Sequence, residues 1–244
     1  MTKTSDRAIL DWLATVGAAC AEDAAAACGV GARRAASRLR QLEADRLISS
    51  RQLLHGEPAL HVLTRRGLGV VGRSELEPTR ISVSSFAHLM AVSRVAATLA
   101  LSGRSVGGER ELRALERAGG GALASAAIGI APDGSTAWHR PDLVCWDGVL
   151  PRAIEVELTV KAPERLRAIV RGWARSRLVE SVDYYATPAA ARAVAAAVAR
   201  ESAEARVCIR SIDELCPKPG VASVPRTDKE AEWQRSTGWC SSGT

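Results

Sequence analysis

Residues 152–160 read Arg-Ala-Ile-Glu-Val-Glu-Leu-Thr-Val, and this stretch constrains the chain more than any other. Apolar and carboxylate side chains alternate, the period-two signature of a β-strand. Glu155 and Glu157 therefore share one face, and Ile154, Val156 and Leu158 share the other. Two like charges on one face of a strand repel each other and lose hydration on burial. Such a pair needs a reason. Asp142 precedes it by a spacing that suits a hairpin, with Asp147-Gly148 as the turn signal. Three convergent carboxylates have the chemistry of a hard-cation site, which predicts Mg²⁺, with Mn²⁺ as a substitute. A metal held there would activate water for attack on a phosphodiester. The bland alternative is a solvated face or ion pairs with arginines.

The first third of the chain has a different rhythm. Asp6 is the expected N-cap of a helix with Ile9, Leu10, Trp12, Leu13 and Val16 on its apolar stripe, ended by Gly17. A short helix over 21–28 is expected next, then the turn Gly29-Val30-Gly31. A third helix spans 32–45, with Ala36, Leu39 and Leu42 inward. Strands over 51–55 and 59–63, joined at Gly56-Glu57-Pro58, complete the pattern. Three short helices and a hairpin make a winged helix-turn-helix, whose last helix enters the major groove of DNA. Arg33, Arg34, Arg38 and Arg40 on that helix, and Arg51 on the wing, are the expected DNA-binding residues, because guanidinium forks pair with phosphates and guanine edges. The formal charge of +6 and a pI near 9.3 favour a polyanionic partner. An arginine-rich helix can also be a merely solvated face, and winged helices also bind proteins.

The fold class expected is α/β (α+β): a winged helix-turn-helix over 1–75, a linker over 76–85, a mixed-sheet domain over 86–215 and a loose tail over 216–244. The second domain begins with an apolar helix over 86–101. Next come a short strand running into a polar turn at 105–112 and a variable connection over 114–135. Strands follow at 138–146 and 152–160, then a helix over 163–179, a strand over 183–187, a helix over 188–202 and a strand over 206–212. Trp138, Trp146 and Trp173 are expected in the core, and His139 in a structural role. Glu109 or Glu111 is a candidate fourth carboxylate, against a plain polar turn. Arg165, Arg167, Arg171, Arg175 and Arg177 form a basic helix face that either tracks DNA or is solvated. Six cysteines without a CxxC pair point to free thiols rather than a zinc site. No signal peptide or membrane span of ~18 uninterrupted apolar residues is expected, which makes a bacterial cytoplasm the default.

Pro141-Asp142, then Glu155-Val156-Glu157, resembles the PD-(D/E)xK nuclease motif, in which the aspartate and first glutamate hold metal. The resemblance implies catalytic and metal-binding roles for Asp142, Glu155 and Glu157. Glu157 stands where that motif usually has lysine, a departure known among restriction enzymes of this fold. Lys161 is the nearest cation available to compensate. The whole layout also resembles the replication-relaxation family of plasmids and integrative elements, a winged helix followed by a restriction-endonuclease-like domain. The matching pieces are the wing region, Glu109-Arg110-Glu111-Leu112-Arg113, Arg140-Pro141-Asp142-Leu143 and Glu155-Val156-Glu157-Leu158. The resemblance implies a DNA-binding replication or transfer accessory factor of a mobile element, with double-stranded DNA and other replication or transfer proteins as partners. A Mg²⁺-dependent endonuclease and a winged-helix transcription regulator are the alternatives. The long helix after the linker offers a surface for a homodimer.

Overall fold

The computed structural model describes residues 4–215, so the expected loose tail, with Cys216 and Cys240, lies outside the described residues. In chain order the elements begin with α1 (Thr4–Val16), α2 (Ala21–Ala27), α3 (Ala32–Ala44), β1 (Ile48–Arg51), β2 (Leu60–Leu63) and α4 (Arg65–Val70). Then come α5 (Val83–Leu101), β3 (Val106–Gly108), α6 (Glu109–Gly119), β4 (Ala126–Ile130), β5 (Thr136–His139), β6 (Leu143–Cys145) and β7 (Arg152–Glu157). Finally α7 (Pro163–Arg175), β8 (Val182–Ala186), α8 (Pro188–Glu201), β9 (Val207–Ser211) and a 3₁₀ turn (Ile212–Leu215) close the described chain. The protein is mixed α/β, with parallel and antiparallel strand pairs. The described residues divide into two compact units, one running to residue 123 with 142–146 added, the other comprising 124–141 and the described chain from 147 onward.

The first unit starts with the expected three helices and hairpin. Cys20 caps α2, its sulfur accepting from Asp23 N at 3.4 Å. On α3, Ala35, Leu39 and Leu42 face inward, with Ala36 displaced to the flank. The hairpin is shifted from expectation: β1 and β2 pair Ile48 with Leu63 and Arg51 with Leu60, leaving 52–59 as the loop. Strand formation starts at Ile48 because this residue is buried, whereas 54–57 are exposed. Gln52 Nε2 donates to Glu57 O at 2.8 Å across the loop. Asp6 does not cap α1, which begins two residues earlier; it is buried within the helix and gripped by Arg38.

The boundary expected near residue 75 lies inside this unit. Leu76 is buried, and Arg65 donates to the carbonyls of Ser74 and Leu76, so 74–77 is anchored chain rather than linker. Ser82 and Ser85 form a capping box at the start of α5. That helix buries Phe86, Val92, Val95 and Ala96. Its Ser93 Oγ and Arg94 Nε both donate to the Asp23 carboxylate on α2, at 2.8 and 2.5 Å. By length and composition α5 is long and apolar enough to cross a membrane, although His88, Ser93 and Arg94 interrupt its apolar run. The expected polar turn after β3 is instead α6, with Glu109 and Glu111 in its first turn, where acidic residues complement the helix dipole. Gly108 permits the approach: a Cβ there would sit 2.2 Å from the Thr15 carbonyl oxygen. β3 and β6 pair antiparallel, Gly107 opposite Val144.

The second unit is built on β7, β8 and β9, all parallel, with Glu155 opposite Tyr184 and Tyr184 opposite Ile209. Parallel neighbours need crossover connections, which α7 and α8 provide. Residues 153–157 and 182–186 are buried throughout, as expected of strands covered on both faces. β4 and β5 form an antiparallel pair beside α7; Gly172 on α7 lies so close that a Cβ would meet the Ala127 carbonyl oxygen at 2.7 Å. The single strand expected over 138–146 is broken. Arg140, Pro141 and Asp142 separate β5 from β6, since proline lacks the N–H that a continuing ladder requires.

Candidate functional sites

The cationic face of α3 follows from helical geometry. With Ala35, Leu39 and Leu42 inward, a 100° advance per residue turns Arg33, Ser37 and Arg40 to the opposite side. Arg33, Arg34 and Arg40 are exposed and make no hydrogen bond or ion pair among the described residues. Arg33 and Arg40, with Ala21, Ala36 and His61, line a shallow concavity of about 450 Å³. Burial pushes the His61 pKa down, and its Nδ1 lies 2.8 Å from Ser50 Oγ. Arg51, at the end of β1, is exposed. Arg38 differs from the rest. Its Nε and terminal nitrogen reach the two Asp6 carboxylate oxygens at 2.5 and 2.6 Å, a bidentate pair that faces the core side of the helix.

The carboxylates have their own partners. Glu155 and Glu157 share one side of β7, as strand period demands, but both are buried rather than presented to solvent. Glu155 Oε1 lies 2.7 Å from His139 Nε2 and accepts from Trp173 Nε1 at 3.2 Å. The rings of His139 and Trp173 meet edge to face, centroids 5.8 Å apart. Glu157 pairs with Lys161. Asp142 is not on a strand; it follows Pro141 in the gap before β6, with His88 Nε2 2.9 Å from its Oδ1. Among the described residues, no group of three or more His, Cys, Asp or Glu side chains is placed to hold a metal ion.

The remaining sequence candidates divide between structural and exposed positions. Glu109 pairs with Arg113, and Glu111 with Arg73 at 2.8 Å. Trp173 is fully buried as expected, whereas Trp138 and Trp146 are 41% and 36% exposed and stand outside the core, contrary to expectation. On α7, Arg167 and Arg171 are both tied to Glu201, while Arg165 and Arg175 are exposed. The group of Asp23, Ser93 and Arg94 escapes sequence reading altogether: Asp23 lies some 70 residues before the other two, and no local pattern joins them.

Cys20 and Cys28 are poor nucleophiles. Burial, reinforced by the Asp23 charge, pushes the Cys20 pKa up to about 12, and burial with Asp11 nearby pushes Cys28 to about 11.

Comparisons with protein-family models, curated proteins and solved structures gave no match to this chain.

Proposed function

We propose that the chain binds double-stranded DNA through α3 and the β1–β2 hairpin, as a replication or transfer accessory factor of a bacterial plasmid or integrative element. One observation carries the reading: Arg33 and Arg40 stand on the side of α3 opposite its buried residues, with no acidic partner to neutralise them among the described residues. A helix backed by a core and faced with unpaired guanidinium groups suits the major groove, where arginine reads guanine and grips phosphate. Arg34 and Arg51 extend the cationic surface, and Arg38 supports it from behind through Asp6. The mobile-element role rests on the resemblance to the replication-relaxation family.

The endonuclease alternative is weaker. It asks Asp142, Glu155 and Glu157 to hold Mg²⁺, but His88, His139 with Trp173, and Lys161 already engage them. Among the described residues no group of three or more His, Cys, Asp or Glu side chains is placed to hold a divalent ion. Lys161 at Glu157 restores a cation to the neighbourhood in which the nuclease motif has lysine, but it is spent on the carboxylate.

Fluorescence anisotropy with a labelled random-sequence duplex tests the DNA reading. Binding in the micromolar range or tighter at low salt, weakening linearly in log–log form as salt rises, is expected. An absence of binding at low salt would overturn it.

A further inference from the structure

A cavity of about 390 Å³ lies within the first unit, between the end of α1, residues 76–80, α5 and α6. That volume falls in the ordinary range for small-molecule sites. Four arginines line it, Arg80, Arg110, Arg113 and Arg117, together with three carboxylates that are each already partnered: Glu77 by Arg65, Glu109 by Arg113 and Asp142 by His88. Arg113 is neutralised by Glu109, whereas Arg80 and Arg117 have no carboxylate within ion-pair distance among the described residues. Arg110 is held through two backbone carbonyls, Glu77 O and Ala14 O, so nothing it bonds carries a compensating charge. Its Nε and the Thr79 hydroxyl are buried and make no hydrogen bond, although both groups belong to the cavity wall. Burial and the neighbouring Arg73 charge push the Arg110 pKa down, and the Glu111 charge only partly offsets them. Gly17 leaves room for this pair of polar atoms: with φ at +89°, a Cβ there would stand 3.0 Å from Thr79 Oγ1 and 3.1 Å from Arg110 Nε. Leu89 and Val92 give the cavity an apolar side.

We propose that this cavity binds a small phosphate ester bearing an apolar group. The phosphate oxygens would meet Arg80, Arg110 and Arg117, where guanidinium geometry favours bidentate contact with an oxyanion. The apolar group would lie against Leu89 and Val92. This site is separate in residues from the α3 face, and its occupancy does not depend on the DNA reading.

The test uses the full chain with phenyl phosphate as probe, followed by calorimetric titration and by melting temperature at fixed ionic strength. Saturable binding of one molecule per chain is expected, with a melting temperature that rises with probe concentration. Phenol alone should produce no comparable rise. Arg80→Ala with Arg117→Ala should weaken the affinity at least about tenfold, and the charge reversal Arg80→Glu should weaken it further than Arg80→Ala. Both positions are exposed, so the ligand-free melting temperature should match that of the parent. No saturable binding up to about 10 mM probe, or an unchanged affinity in the double variant, would overturn the proposal. Displacement of the probe by a short DNA duplex at matching stoichiometry would also overturn it, because the arginines would then be serving backbone phosphate.

Discussion

Arg38 grips Asp6 with both prongs of its guanidinium, at 2.5 and 2.6 Å, joining α3 to α1 across 32 residues. Asp6 is 4% exposed, so its carboxylate depends on the partners that the fold supplies, Arg38 foremost. Asp6→Ala should destabilise the chain by about 2 kcal/mol, read by urea denaturation. Arg38→Ala should also lower stability, while leaving the salt slope of DNA binding almost unchanged. If Arg38→Ala instead flattens that slope with stability intact, its role is DNA binding.

Asp23 accepts from Ser93 and Arg94 and thereby ties α2 to α5. Asp23→Ala should cost about 3 kcal/mol, since Arg94 then loses its buried acceptor. Adding Arg94→Ala should cost less than the sum of the two single changes, the non-additivity expected of a touching pair. Strict additivity would mean that the ion pair itself contributes nothing.

Gly67 lies where a Cβ would be 2.0 Å from the Leu47 carbonyl oxygen, at the junction of the hairpin and α4. Gly67→Ala should lower stability by roughly 3 kcal/mol or more, because the obstruction is backbone rather than a flexible side chain. Gly31→Ala, where nothing lies within 4 Å of the added carbon, should have little effect by comparison. Equal melting temperatures for the two variants would contradict this local packing.

Two groups set different parts of the acid response. Hydrogen bonding to Arg171, and then to Arg167, draws the Glu201 pKa from 4.5 to about 2. The unfolded chain therefore takes up this proton more readily, and the stability due to the pair is present above about 4.5 and lost as pH falls toward about 2. Glu201→Gln should flatten that limb of a melting-temperature profile. His61 is pushed below its ordinary 6.5 by burial, so its contribution is complete above about 6.5 and declines as pH falls into the acid range. His61→Gln should remove that decline; a profile unchanged by either substitution would contradict both assignments.

Much of the first unit is legible in the sequence because its signals are local. The boundaries of α2 and α3 follow from Gly29, Gly31 and the spacing of Leu39 and Leu42. The strand at Glu155 and Glu157 is legible from period two. What local pattern does not carry is the partner of a charge. Arg38 and Arg34 look alike in sequence, yet one is held by Asp6 and the other is unpaired among the described residues. The same holds for the carboxylates: same-face placement is readable, but the burial of Glu155 beside His139 and Trp173 depends on residues from two other elements. The strand break at Pro141 is readable in principle, because proline interrupts a ladder. The run of apolar residues after it outweighs that signal, and so Trp138 and Trp146 read as core residues although both are exposed.

The most direct measurement is the salt dependence of duplex binding by the parent and by the triple variant Arg33→Ala, Arg34→Ala, Arg40→Ala. Every arginine–phosphate pair removed should lower the slope of log affinity against log salt by roughly 1. The triple variant should bind more weakly with a slope shallower by about 2 to 3, and its melting temperature should stay close to that of the parent because all three side chains are exposed and make no ion pair among the described residues. A triple variant that binds the duplex with the parent's affinity and slope would contradict the assignment of α3 as the DNA-binding element.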